Sequence, residues 1–73
     1  MSLTHNKQSA TRLASKLSQY GWFSGVEAGG LVGKQLGLIV YAKYPPPKFS
    51  IPETFEDYPV LTVNESEQTH DEI

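Results

Sequence analysis

Residues 36–43, Leu-Gly-Leu-Ile-Val-Tyr-Ala-Lys, constrain this chain more than any other segment. Side chains alternate across a β-strand. Leu36, Leu38, Val40 and Ala42 then share one face, and Gly37, Ile39, Tyr41 and Lys43 share the other. Both faces are apolar, which predicts a central strand. Pro45-Pro46-Pro47 ends it, because proline cannot donate to a ladder, and predicts an extended polyproline segment. With 73 residues and no cysteine, the chain has neither disulfides nor thiolate metal sites to supplement a small core.

Upstream, residues 6–20 read as one amphipathic helix. Ala10, Leu13, Ala14 and Leu17 recur at i, i+3, i+4 and i+7, while Lys7, Arg12, Lys16 and Gln19 fall elsewhere. Asn6 or Ser9 suits an N-cap, Gly21 suits a left-handed C-terminal cap, and residues 1–6 read as frayed. A narrow, alanine-rich stripe predicts close packing on a sheet.

Residues 22–28 read as a first strand, with Gly29, Gly30 and Gly33 forming the hairpin connection. Residues 51–58 read as a loop or a single helical turn, and Pro59–Val63 as a third strand. The expected fold is therefore α+β: one N-terminal amphipathic helix on a three-stranded, mainly antiparallel sheet, in the order α-β-β-β. Residues 1–64 form this single domain, and residues 65–73 are expected to be an acidic, disordered tail.

Charge is unevenly distributed. Residues 1–50 hold all 6 Lys and Arg and one acid, Glu27, whereas the remaining acids lie in 51–73. No run approaches the roughly 20 apolar residues of a membrane span, and the N-terminus lacks a signal-peptide pattern. These features predict a cytoplasmic protein with no membrane partner.

No catalytic constellation emerges. Residues 28–35 fail as a phosphate loop: Ala28 stands where glycine is needed, Gln35 stands where Ser or Thr holds magnesium, and a strand follows in place of a helix. His5 and His70 lie near the termini, away from any folded neighbourhood that would tune a base. His70 with Glu67, Asp71 and Glu72 gives no pre-organised metal site, and no base is placed beside Ser24 or Ser50. The loop carboxylates Glu53, Glu56 and Asp57 read as solvated. No enzyme, cofactor or metal is expected.

The apolar outer face of the sheet predicts a protein partner or a second copy, with Trp22, Phe23, Ile39, Tyr41 and Tyr44 as interface residues. The function predicted is thus a non-catalytic interaction or regulatory module of a bacterial or phage type, self-associating through a sheet face or edge strand. The alternative is a nucleic-acid-binding accessory protein using Lys7, Arg12 and Lys16 with exposed aromatics. A sequence pI of about 5.5 disfavours phosphate backbones.

Residues 25–65 also resemble a known pattern. Gly25-Val26, the glycine turn, Gly37-Leu38-Ile39-Val40-Tyr41-Ala42-Lys43, and Ile51-Pro52-Glu53-Thr54-Phe55-Glu56-Asp57-Tyr58-Pro59-Val60 resemble a short module of bacterial proteins, in some of which a trypsin-like peptidase domain follows. There the order is a helix, GVG, IVVYV and IPETIEGVPV. Glu27 replaces a glycine of that pattern, and Asp57-Tyr58 replace Gly-Val. The resemblance implies the helix–hairpin–strand order and a non-enzymatic role, and it carries over no catalytic residue or ligand.

Overall fold

A computed structural model describes residues 3–65. Helix α1 spans Leu3–Leu17, and four strands follow: β1 Phe23–Val32, β2 Gln35–Ala42, β3 Thr54–Phe55 and β4 Tyr58–Asn64. The α+β class holds, but the sheet is four-stranded and mixed, in the order β1-β2-β4-β3. β1 pairs antiparallel with β2, β4 runs parallel to β2, and β3 pairs antiparallel with β4.

The expected three-stranded, mainly antiparallel sheet is corrected here, and the connection after β2 explains why. Its prolines forbid a tight return, and residues 43–57 are long enough for the crossover that parallel pairing needs. The segment expected to be a loop or helical turn contains β3. Residues 56 and 57 close a β3–β4 hairpin with φ of 50° and 74°, the doubly positive pattern of a type I′ turn.

The helix begins at Leu3 and buries Asn6, Ser9, Ala10, Leu13 and Leu17. Asn6 is therefore an interior helical residue and not an N-cap, and residues 3–6 are helical, not frayed. At the other end Gly21 does not adopt positive φ. The Tyr20 N–H donates to the Leu17 carbonyl, and the Ser18 hydroxyl and Gln19 amide donate to Ser15 and Lys16 carbonyls. Local donors thus satisfy carbonyls that a left-handed cap would have taken.

β1 runs on through the glycines expected to turn. Gly33 (φ 66°) and Lys34 alone join Val32 to Gln35. Gly29 (φ 83°) and Gly30 sit opposite Gly37 in a bulge between the Ala28–Leu38 and Leu31–Leu36 pairs. A left-handed glycine leading two residues past one is the G1 form of bulge.

Leu13, Leu38, Val40, Ala42 and Tyr58 are at most 1% exposed and form the core with Ala10, Leu17 and Trp22. Trp22 precedes β1 and stacks on Tyr20, with ring centroids 5.3 Å apart and planes at 8°. Its carbonyl accepts from the Lys43 N–H at 2.7 Å.

Candidate interaction surface

Strand alternation and register divide the sheet into two faces. Leu38, Val40 and Ala42 point to α1 together with Val26, Ala28 and Val60. On the opposite face Ile39 lies between Glu27 and Leu61, and Tyr41 between Gly25 and Val63. Ile39, Tyr41 and Val63 are half-buried, and Leu61 is 45% exposed. Val32 joins them by packing over Gly37, where an added Cβ would come 2.6 Å from Val32 Cγ2 and 2.7 Å from the Pro59 carbonyl. The Tyr41 hydroxyl donates to Glu27 Oε1 across the strands, so the rim of this patch is polar. The bond holds the phenol above its ordinary range. Among the described residues the only helix lies on the other side of the sheet, leaving Val32, Ile39, Tyr41, Leu61 and Val63 as an uncovered apolar face.

The expected interface residues are thereby separated. Ile39 and Tyr41 share the outer face. Trp22 is 4% exposed and belongs to the core, which corrects its placement at an interface. Phe23 is half-buried on the helix side, paired with Ala42. Tyr44 is 51% exposed in the loop after β2. Leu61 and Val63 are recognisable in the sequence as strand residues, but only the parallel register puts them beside Ile39 and Tyr41.

A polar network joins the helix to the β3–β4 turn. Ser9 Oγ donates to Glu56 Oε1 at 2.6 Å, and Arg12 grips both Glu56 oxygens, Nε to Oε2 at 2.7 Å and a terminal nitrogen to Oε1 at 2.5 Å. These bonds, Arg12 first and Ser9 second, lower the Glu56 carboxyl from 4.5 to about 2. Nearby, His5 Nδ1 and the Tyr58 hydroxyl are 2.8 Å apart. His5 therefore does have a folded neighbourhood, and Glu56 is a paired carboxylate; both depart from the sequence expectation. A carboxylate at about 2 is a weak proton acceptor at neutral pH, and Ser9 is 0% exposed, out of reach of a substrate. The network therefore acts as a structural clamp. Among the described residues no group of three His, Cys, Asp or Glu side chains is arranged to hold a metal ion.

The basic residues of the alternative reading do not form one surface. Arg12 is engaged by Glu56. Lys7 and Lys16 project half a helical turn apart, on opposite flanks of the buried stripe. His70 and its neighbouring acids Glu67, Asp71 and Glu72, and all of the expected tail after Glu65, lie outside the described residues. No helix among the described residues is long and apolar enough to cross a membrane.

Comparison with protein-family models, with curated proteins and with solved structures finds no match for this chain.

Proposed function

We propose that this chain is a non-catalytic interaction module that presents the outer face of its sheet to a protein partner. The observation that carries the reading is the uncovered face of Val32, Ile39, Tyr41, Leu61 and Val63. On it Leu61 is 45% exposed and the other four are half-buried, with no described helix packed over them. Contiguous exposed apolar patches with polar rims mark docking sites. Beside the patch, β1 is a ten-residue edge strand whose outer backbone groups can accept a partner's strand. The similarity to the bacterial α-β-β-β module is compatible with such a role and names no ligand.

Nucleic-acid binding is the less favoured reading. Arg12 is neutralised by Glu56 and the lysines are dispersed, so no stripe tracks a phosphate backbone.

The test is a paired capture from cells that carry the chain natively, using the wild type and the double variant Tyr41→Lys, Leu61→Lys. The lysine introduced in place of Tyr41 can pair with Glu27, and position 61 is half-open, so the variant keeps its fold. A partner recovered with the wild type and reduced by about tenfold or more with the variant supports the reading. Equal recovery with both contradicts it. Retention on heparin that collapses with salt would favour nucleic acid instead.

A further inference from the structure

The uneven charge of the sequence has a structural counterpart at one end of the molecule. Among the described residues the side chains of Lys16, Lys43 and Lys48 make no hydrogen bond or ion pair. Lys16 lies in the last turn of α1. Lys43 follows Ala42 and donates its backbone N–H to the Trp22 carbonyl, and Lys48 stands two residues before Ser50. Beside the helix runs an open groove of about 740 Å³. Leu13, Leu17 and Phe55 make it apolar, Tyr20 and Ser50 also line it, and Lys16 is its one charged lining residue. Such a groove suits a segment that carries carboxylates together with an apolar side chain.

The chain itself contains that segment. After Glu65 the sequence runs Ser-Glu-Gln-Thr-His-Asp-Glu-Ile over residues 66–73. Glu67, Asp71 and Glu72 are its charges, it holds no Lys or Arg, and Ile73 is its one large apolar residue. Its point of departure is set by β4. Asn64 pairs with Ala42, Lys43 is bonded to Trp22, and the Trp22 ring stacks 5.3 Å from Tyr20, which lines the groove. One strand spacing of about 4.8 Å and these two contacts separate the end of β4 from the groove. Eight residues extend up to roughly 26–29 Å, more than that path requires.

We infer that residues 66–73 fold back onto their own chain, placing their carboxylates against Lys16 and Lys48 and Ile73 in the groove. Because the occupant is tethered, no large interface is needed: a short linker supplies an effective concentration in the millimolar range. Exposed ion pairs are individually weak and screened by salt, so the closure is reversible and depends on ionic strength. The contact lies on the helix side and leaves the outer sheet face free, so it stands apart from the docking role proposed for that face.

The full chain tests this directly. It has no cysteine, so Thr69→Cys carries a single nitroxide label whose approach broadens nearby amide signals. Those of Leu17, Tyr20 and Ser50 should broaden at low salt. Tethering alone brings the label to this end of the molecule, so the variants decide. The pair Lys16→Glu, Lys48→Glu should reduce the broadening at least about twofold, as should about 1 M salt, where the screening length is about 3 Å. Ile73→Ser should also reduce it. The pair Lys7→Glu, Lys34→Glu makes the same change in net charge away from the groove and should leave the broadening as in the wild type. All four lysines are exposed, so both pairs keep the fold. Equal broadening in the two lysine pairs overturns the inference, as does an Ile73→Ser variant that broadens undiminished. Broadening in a mixture of labelled chains with separate isotope-enriched, unlabelled chains also overturns it, since the segment would then reach a second copy.

Discussion

Asn6 on α1 and Gly29 on β1, 23 positions apart, are joined where the first strand bulges: the Gly29 N–H donates to Asn6 Oδ1 at 2.5 Å. The same side chain donates through Nδ2 to the Gly37 carbonyl at 3.1 Å. A bulge takes backbone groups out of the ladder, and one fully buried amide replaces a partner on each strand. The helix is thereby keyed to the register of the β1–β2 pair.

Asn6→Ala should cost about 2–4 kcal/mol, since it leaves a donor and an acceptor without partners, each worth about 1–3 kcal/mol when buried. Urea unfolding followed by Trp22 fluorescence measures it. A loss below about 1 kcal/mol would mean that water or a backbone shift replaces the amide.

Gly37→Ala should be strongly destabilising, by about 2 kcal/mol or more, because the new methyl meets the Pro59 carbonyl of β4 at 2.7 Å. Backbone cannot swing aside as a side chain can, so β2 and β4 must separate. Gly25→Ala is the control: nothing lies within 4 Å of its added Cβ, and the change should be nearly neutral.

Much of this fold is legible in the sequence. The helix stripe of Ala10, Leu13 and Leu17, the central strand and the strand after Pro59 follow from periodicity alone. The parallel pairing of β4 does not, because a short apolar strand reads the same in either direction and its position depends on the crossover. β3 is two residues long and has no periodicity to detect. Gly29 looks like a turn residue because bulges and turns require the same positive φ. The Arg12–Glu56 clamp joins residues 44 positions apart, beyond the reach of local spacing. At the candidate surface, Ile39 and Tyr41 are legible as one face of β2, whereas the burial of Trp22 depends on Tyr20 and the helix closing over it.

Acid should loosen the clamp. Glu56 titrates at about 2 in the folded chain against an ordinary 4.5, so the unfolded chain binds its proton first. The stabilisation is fully present above 4.5 and is lost as pH falls from there toward 2. The melting temperature should fall across that window, and Glu56→Gln should flatten the fall while lowering the melting temperature at neutral pH. Identical acid profiles for the two proteins would show that the pair contributes nothing.

Asp57→Gly should stabilise the chain by about 0.5–1 kcal/mol, because φ there is 74° and only glycine adopts it without steric penalty. Glu56→Gly, at φ 50°, should fail to stabilise, since it removes the carboxylate that Arg12 and Ser9 hold. Paired thermal melts compare them, and a stabilised Glu56→Gly would show the strain outweighing the clamp.

The outer face of the sheet is tested most directly by a photo-crosslinking amino acid placed at position 61, with a second chain carrying it at Gln8 on the exposed side of the helix. On irradiation in the native cell, position 61 should yield a discrete crosslinked protein that position 8 does not. No adduct at position 61, or the same adducts from both positions, would contradict a docking role for the face formed by Ile39, Tyr41 and Leu61.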